Sequence, residues 1–370
     1  MIRRARTIIL RYSDSNLVAV NYLAKTSIQL SELGRWVLAQ CDQWRLPFTL
    51  FKAAPTSDHS AIEAELELLS ATSLLIWAGT HAATQDLEYE KNFAWGDVAG
   101  YYHFSIRNSE YMHPIMSASR LAEKSATTEA VPLYLDNQAF EKITRLPPPD
   151  LDSGVFPIMC QRRSYRGFSD DEIPLAYLAE CLFAGLGITG FVKPFAESEE
   201  QLPFKMTPSG GGRNPYEAFV YVRRVNGLVP GVYHYSAKDH SLGLVQDREQ
   251  PSVGAVVAGQ GWFEHAAVLV VLVANFDRTM WKYPHPTGYR VVLLEAGHIA
   301  QNMLLAATAR GLACTPTCAI DDRVAVKLTG CDRLTQSHVY TVALGNRSVI
   351  PTVMDPLQIV PNEISPLFSQ

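Results

Sequence analysis

The sequence lacks an excess of positive charge, a long apolar segment and a recognisable export signal. Its 370 residues carry 32 Lys and Arg against 37 Asp and Glu, a formal net charge of −5, so there is no general electrostatic case for nucleic-acid binding. No unbroken stretch reaches the roughly 20 apolar residues of a membrane span. The basic start at Arg3, Arg4 and Arg6 lacks the apolar run of a secretory signal. We expect a cytoplasmic protein with neither a membrane nor a nucleic-acid partner.

Cysteine is scarce and scattered. The six cysteines lie at positions 41, 160, 181, 314, 318 and 331, and without an export signal we expect them to be reduced thiols. Cys314 and Cys318 could form half of a metal site, but a second pair at zinc-finger spacing is missing. We predict no metal.

A hydrophobic content of 47% with 19% charged residues is typical of a globular chain. Residues 1–78 read as a small α+β module, with strands at 7–12 and 17–23, helices capped by Ser31 and by Ser57 or Asp58, and a strand at 74–77. This order resembles a winged-helix module, which can bind nucleic acid or pair with a peptide strand. A structural or dimerisation role is equally compatible with it.

Residues 79–150 form a connecting segment. Its aromatic cluster, Trp95 and residues 101–104, is typical of a core or an interface, and within it His103 reads as a structural histidine. The segment ends in the stiff spacer 147–149. We therefore place the main domain boundary near Leu151 and the second domain at 151–361.

The second domain mixes helices and strands. Ser169 is expected to cap a helix that ends near Gly185. Strands are expected after the glycine stretch at 209–212, as a pair at 231–235 and 241–245, and as a buried strand at 266–274. A long helix from about 288 to 310 is followed by Gly311 at its C′ position, and a last strand covers 339–344.

Two stretches of this domain have anion-binding or ligand-binding character. In RRSYRGF at 162–168, an extended backbone would place Arg162, Ser164 and Arg166 on one face, and arginine forks match phosphate oxygens. A solvated basic patch is the alternative. In TPSGGGRNPYE at 207–217, three glycines would let a flat ligand approach the main chain, unless the stretch is only a flexible loop.

Two further stretches carry proton-transfer or polar groups. Lys282 and Tyr283, after the apolar strand, are a candidate acid/base pair, although surface packing is an alternative for such a pair. On the long helix, Glu295, His298 and Gln301 or Asn302 form a polar stripe. We expect a subunit interface or a bound polar ligand to provide their partners.

Taken together, these motifs resemble the nitroreductase superfamily of FMN enzymes, and in particular its SagB-type branch, the thiazoline/oxazoline dehydrogenases of modified-peptide biosynthesis. The matching motifs, in family order, are RRSYRGF at 162–168, PSGGGRNPYE at 208–217, GVYHY at 231–235, KYPHPTGYR at 282–290, EAGHIAQNMLLAA at 295–307 and GLACTP at 311–316. The resemblance implies an α+β fold with a central, mostly antiparallel sheet flanked by helices, and a homodimer with FMN at the subunit interface.

The resemblance also implies site residues. Arg162, Ser164 and Arg166, with Arg163, match positions that hold the phosphate and the pyrimidine edge of FMN, and Arg347 is placed like a late phosphate-binding residue. Pro208, Ser209, Gly210, Gly211 and Gly212 match the loop beside the flavin. Gly212 stands where many simple nitroreductases carry Asn, so Asn214 becomes the candidate for that ring contact. Cys318 and Ala319 replace the common Glu-Gly beside flavin N5. Lys282 and Tyr283 match the catalytic pair of azoline dehydrogenases.

The implied activity is oxidation of azoline rings in a ribosomally made precursor peptide, with a cyclodehydratase as a further partner. Within the same superfamily, a free-standing NAD(P)H-dependent nitro or quinone reductase is the alternative. Outside enzymes, the alternatives are a peptide-binding scaffold without flavin and a winged-helix regulator.

Overall fold

The computed structural model describes residues 1–112, 114–128, 147, 150–199, 201–247 and 251–349. Most of the predicted spacer 147–149, and residues 350–361 at the end of the predicted second domain, lie outside these ranges.

The N-terminal module combines antiparallel strands with three helices. A three-stranded sheet has the order β2-β3-β4, and β1 pairs with β5. As predicted, Ser31 and Asp58 cap helices. The Ser31 hydroxyl accepts a hydrogen bond from the Gly34 amide, and the Asp58 carboxylate accepts hydrogen bonds from the amides of Ser60 and Ala61. The short elements β1, β4 and α2 were not predicted. The strands are β1 (Ile2–Arg4), β2 (Ile8–Ser13), β3 (Asn16–Asn21), β4 (Thr26–Gln29) and β5 (Leu75–Trp77), and the helices are α1 (Glu32–Gln40), α2 (Phe48–Ala53) and α3 (His59–Ala71).

The following segment forms helices α4 (His81–Asn92), α5 (Gly96–Ser105) and α6 (Pro114–Thr127). Of the predicted aromatic cluster, Trp95 and Phe104 belong to the main hydrophobic core, whereas Tyr101 and Tyr102 are exposed. Trp95 is buried and lies edge-on to Phe276 and Tyr289, with ring centroids 5.4 Å apart in both pairs. His103 is also buried. Helices α4 and α5 therefore pack against the larger part of the protein through aromatic contacts.

The larger part is built on a six-stranded antiparallel sheet of order β10-β9-β8-β11-β13-β12. The apolar run expected to be a central strand is β11, which lies between β8 and β13 and is buried along nearly its whole length. This confirms the predicted mostly antiparallel sheet with flanking helices. The sheet strands are β8 (Tyr216–Val222), β9 (Gly231–Ser236), β10 (Ser241–Gln246), β11 (Val268–Asn275), β12 (Ala313–Thr317) and β13 (Gln336–Gly345).

Helices and a hairpin surround this sheet. The longest helix, α11, packs against α8, β12 and β13, and Gly311 after it adopts a left-handed φ of 70°. The helices are α7 (Phe156–Gln161), α8 (Leu175–Leu186), α9 (Val253–Val256), α10 (Phe276–Met280), α11 (Thr287–Ala309) and α12 (Asp322–Thr329), and the hairpin strands are β6 (Ile188–Val192) and β7 (Leu202–Lys205).

The predicted helix start at Ser169 is wrong. Helix α8 begins only at Leu175, directly after Pro174. A proline disfavours helical backbone angles in the residue before it, and that residue, Ile173, instead bridges Val225 in an extended conformation. The Ser169 hydroxyl bonds the Asp171 side chain in a local turn.

Among the described residues, one helix, α11, is long and apolar enough to cross a membrane by length and composition. Arg290, Glu295 and His298 interrupt its apolar run. Half of its most apolar window is buried inside the protein, and the core helix of a globular protein has the same length and composition.

A buried ion pair joins the N-terminus to α4, and its loss should destabilise the protein. Arg3 pairs with Asp86, and both side chains are almost fully buried. Asp86→Ala leaves the buried guanidinium with only the half-exposed Glu90 as a partner and should lower the free energy of unfolding by about 3–5 kcal/mol. Glu90→Ala removes the half-exposed second partner of Arg3 and should cost at most about 1 kcal/mol. Equal losses for both variants in urea unfolding would contradict this account.

Candidate functional site

The arginine segment lies alongside β12. The Tyr165 amide donates to the Cys314 carbonyl at 3.2 Å, and the Thr315 hydroxyl donates to the Tyr165 carbonyl. Arg163 donates to the carbonyls of Cys160 and Arg162 at 2.7 and 2.8 Å, so it caps the end of α7. The backbone of residues 162–166 is therefore fixed by the edge of the main sheet.

Arg347 lies beside the same segment. Its guanidinium is 4.3 Å from the centre of the Tyr165 ring, and Phe168 forms an antiparallel bridge with it. Two further backbone bonds, Ser169 to Asn346 and Ser348 to Gly167, both 2.9 Å, extend the pairing. The structure thus brings Arg347 to the arginine segment from almost two hundred residues away.

The positive charges of Arg162 and Arg347 affect the pKa of a buried thiol, that of Cys314. Burial raises the pKa of Cys314, while a hydrogen bond from Thr308 and the charges of Arg162 and Arg347 act in the opposite direction. Within the described ranges, no carboxylate lies within 4.0 Å of Arg162 or Arg347. Guanidiniums without carboxylate partners fit a phosphate group. Arg162 and Arg347 therefore offer donors that suit a phosphate group.

The glycine stretch is an ordered turn. Residues Gly210–Gly212 form one turn of 3₁₀ helix, and Gly211, Gly212 and Asn214 all have positive φ, at 64°, 68° and 46°. Glycine meets this requirement without strain. Asn214 donates through its side-chain amide to the carbonyls of Gly212 and Pro203. Its amide nitrogen is thus engaged inside the loop.

Helix α11 anchors this turn through Glu295. The Ser209 hydroxyl donates to the Glu295 carboxylate at 2.8 Å and accepts the Asn214 amide, also at 2.8 Å. Glu295 is almost fully buried. Burial raises its pKa, and the hydrogen bonds from Ser209 and Gly210 and the charge of Lys205 oppose that shift. The sequence indicates Glu295 as a polar residue of the helix but does not predict Ser209 as its partner.

The polar stripe on α11 thus finds partners within the same chain. Besides Glu295, Asn302 donates to the Ala184 carbonyl and the Thr207 hydroxyl at 3.2 and 3.1 Å. His298 and Gln301 are exposed. The expectation that a second subunit or a ligand supplies the partners is wrong for Glu295 and Asn302.

Lys282 and Tyr283 lie against the glycine turn. The Lys282 amine donates to the Gly211 carbonyl at 3.3 Å, and a Cβ added to Gly211 would lie 2.6 Å from the Tyr283 hydroxyl. The Trp95 indole holds the Tyr283 carbonyl at 2.9 Å. Lys282 is exposed, so the expectation of a buried lysine in the acid/base pair is wrong. Tyr283 is 36% exposed.

Cys318 and Ala319 follow the end of β12. Cys318 is exposed, and its carbonyl accepts the Tyr111 hydroxyl at 3.3 Å. The Ala319 amide donates to the Thr317 hydroxyl at 3.0 Å. Because β12 begins beside the arginine segment and ends at Cys318, one strand connects these two predicted parts of the site.

The predicted residues therefore fall into two groups. One contains the arginine segment, Arg347 and the Cys318 loop, and the other contains the glycine stretch with Lys282 and Tyr283. Glu295 holds the second group. The Leu304 carbonyl accepts the thiol of Cys314, the residue on β12 that pairs with Tyr165 of the first group. At a rise of 1.5 Å per residue, these two positions on α11 are roughly 14 Å apart.

The contact between Gly211 and the Lys–Tyr pair can be tested by adding one methyl group. Gly211→Ala should cost about 1–2 kcal/mol because of its positive φ and should also displace Lys282, whose Cδ and Nζ lie 2.9 Å from the added Cβ. Gly227→Ala is the matched control, with a φ of 83° and no atom within 4 Å. Lys282 should be acylated faster in Gly211→Ala only, as read by mass spectrometry. Equal labelling in the two variants would contradict the contact.

Comparison with known proteins identifies the family. Residues 159–346, slightly more than half of the chain, match the Nitroreductase family. The protein named "Putative nitroreductase MJ1384" from Methanocaldococcus jannaschii is 35% identical over 156 residues, which cover 42% of this chain and 73% of that protein.

Two further proteins are similar. The trifolitoxin-processing protein TfxB of Rhizobium leguminosarum bv. trifolii is 28% identical over 138 residues, which cover 36% of this chain and only 37% of that protein. A chain of the E. coli microcin synthetase McbBCD complex, solved with truncated pro-MccB17 bound, is 19% identical, with 72% of this chain and 92% of that chain covered and a TM-score of 0.42. The family match, together with the M. jannaschii relative, shows that the chain belongs to the nitroreductase family of flavin oxidoreductases.

Proposed function

We propose that this protein is an FMN-dependent dehydrogenase that oxidises azoline rings to azoles in a ribosomally made peptide. The observation that carries the proposal is the Lys282–Tyr283 pair packed against Gly211, because the pair matches the catalytic residues of azoline dehydrogenases. Family membership supports the flavin. The similarity to a trifolitoxin-processing protein supports a peptide substrate.

The arginine cluster is the proposed phosphate site. Arg162, Ser164, Arg166 and Arg347 would hold the phosphate and the pyrimidine edge of FMN, with Arg163 fixing the end of α7 beside them. Their guanidiniums can form charge-assisted, bidentate hydrogen bonds with phosphate oxygens. The loop at Cys318 and Ala319 and the turn from Pro208 to Gly212 would border the ring, with Asn214 stabilising that turn.

FMN supplies the two-electron acceptor, and the protein orients the substrate and moves a proton. Lys282 or Tyr283 would remove the ring proton as general base. The pair is positioned for this, because the Gly211 carbonyl orients the amine while the amine lies 5.6 Å from the centre of the Tyr283 ring. Its exposure leaves it accessible to an incoming peptide.

A homodimer would complete the site. Within one chain the glycine group contacts α11 at Glu295, and the arginine group is linked to Leu304 through Cys314; these positions are roughly 14 Å apart along the helix axis. In the family to which this chain belongs, FMN sits at the subunit interface. We propose that the glycine stretch of one subunit faces the arginine cluster of its partner.

The domain assignment follows the same proposal. Residues 1–78 would serve as a peptide-recognition module, residues 79–150 as a connection, and the domain from 151 onward as the flavin-binding part. A cyclodehydratase that installs the azoline rings would be the upstream partner. A free-standing NAD(P)H-dependent nitro or quinone reductase is the second candidate, favoured by the name of the M. jannaschii relative.

Removal of one guanidinium should weaken flavin binding. Arg162→Met deletes a charged hydrogen-bond donor, worth about 1.5–3 kcal/mol, so FMN should bind roughly ten- to hundredfold more weakly. Arg11→Met, on an exposed strand position, is the control. Flavin titration of the apoprotein followed by visible absorbance measures this, and unchanged affinity in Arg162→Met would refute the phosphate role.

Loss of the proposed base should separate binding from turnover. The double variant Lys282→Ala with Tyr283→Phe should retain bound FMN but lose at least about a hundredfold in the rate of azole formation, the usual contribution of a general base. The rate is followed by mass spectrometry of an azoline-containing peptide. Full activity in the double variant would rule out this assignment.

A further inference from the structure

A cavity of about 460 Å³ opens on the face of α11 that carries Tyr289, Leu293 and Gly297. Its volume lies within the range of small-molecule sites. Aromatic and aliphatic side chains dominate its wall, and Cys318 lies at its border. The lining includes Tyr102, Ile106, Tyr111, Tyr289, Leu293 and Tyr340.

Arg107 places a buried positive charge in this wall. The residue is only 7% exposed. Its Nη2 donates to His103 Nε2 at 2.6 Å and to the Ser337 hydroxyl at 3.4 Å, while its Nε is buried without a partner. In the part of the chain that the structure describes, no carboxylate lies within 4.0 Å of it.

Asp322 also lines the cavity, and its charge raises the pKa of Arg107 from beyond ion-pair distance. One carboxylate oxygen of Asp322 accepts a hydrogen bond from the Asn108 amide, and the other lies 3.2 Å from His338 Nε2. A second guanidinium, that of Arg333, lies close enough to Arg107 to help lower its pKa, after burial as the larger cause, to about 9. Arg107 therefore remains charged at neutral pH. The Phe104 ring lies 4.4 Å from its guanidinium, but within the described residues it has no direct carboxylate partner, and burying such a charge is costly.

His338 adds an acceptor to the same cavity. Its side chain is 9% exposed. Burial lowers its pKa to about 4, so the ring is neutral at pH 7. Nε2 lies 3.2 Å from the Asp322 carboxylate, and because a carboxylate only accepts hydrogen bonds, we place the proton of the neutral ring on Nε2. Nδ1 then carries the lone pair, and this atom is buried without a partner. The cavity thus offers one cationic donor and one unpaired acceptor within an aromatic wall.

We propose that this cavity binds an organic carboxylate that has an apolar or aromatic body and a neighbouring N–H, with the carboxylate on Arg107 and the N–H on His338. The C-terminal residue of a peptide has this chemistry, and so does a free N-acyl amino acid. Arg107 lies outside the 159–346 family match, so that match does not include the cationic residue of this site. A role as a recognition pocket for the substrate peptide rests on the proposed function, whereas ligand binding does not.

Calorimetric titration of the full-length protein tests the site with three probes. N-acetylphenylalanine should bind, its amide should bind at least tenfold more weakly, and 3-phenylpropionate, which lacks the N–H, should be intermediate. If 3-phenylpropionate binds as tightly as N-acetylphenylalanine, a simple acid suffices and the His338 part of the proposal is wrong. No binding of N-acetylphenylalanine, or equal binding of acid and amide, overturns the whole proposal.

Variants assign the binding to Arg107. Arg107→Met should abolish the preference for the acid, whereas Arg35→Met, at an exposed position of α1, should keep it. Arg107→Lys retains the charge without the fork, so it should keep the preference with several-fold weaker binding, and it serves if the Met variant does not fold. N-acetylphenylalanine should also raise the Tm of wild type and not that of Arg107→Met. An unchanged preference in Arg107→Met would refute the site.

Discussion

The carboxylate of Glu295 lies buried on α11 and accepts hydrogen bonds from the Ser209 hydroxyl and the Gly210 amide. Burial penalises its charge, and these two bonds offset that penalty. The glycine turn is consequently held where it meets the carboxylate, since moving it away would leave a buried acid unsatisfied. Lys282 and Tyr283 contact Gly211 of this turn. The position of the proposed base therefore depends on Glu295, although the base does not contact it.

Helix α11 also holds other parts of the molecule in place through contacts along its length. Near its start, Tyr289 packs against the aromatic cluster of α4 and α5 and borders the cavity at Arg107. In its middle, Glu295 fixes the glycine turn. Towards its end, the Leu304 carbonyl receives the Cys314 thiol, and Cys314 pairs with the arginine segment. Helix α11 thus sets the spacing between the proposed phosphate site, the proposed base and the cavity at Arg107.

Local features were readable from the sequence, and long-range contacts were not. The caps at Ser31 and Asp58, the buried strand β11 and the left-handed Gly311 follow from neighbouring residues alone. The predicted start of α8 at Ser169 is too early, because Pro174 prevents the helix from beginning before Leu175. The motifs located the arginine and glycine stretches, but the bond from Ser209 to Glu295 spans 86 positions. The bond from Arg107 to Ser337 spans 230 positions and likewise depends on how α5 docks against β13, which no local pattern encodes.

The central claim is that the bound flavin takes its electrons from a peptide ring. The most direct measurement is anaerobic mixing of the FMN-loaded protein with an azoline-containing peptide, with the visible flavin band and the peptide mass followed together. The account predicts that the flavin band bleaches while the peptide loses two hydrogens, one peptide per flavin. Bleaching by NADPH with the peptide mass unchanged would contradict it and would favour a free-standing reductase.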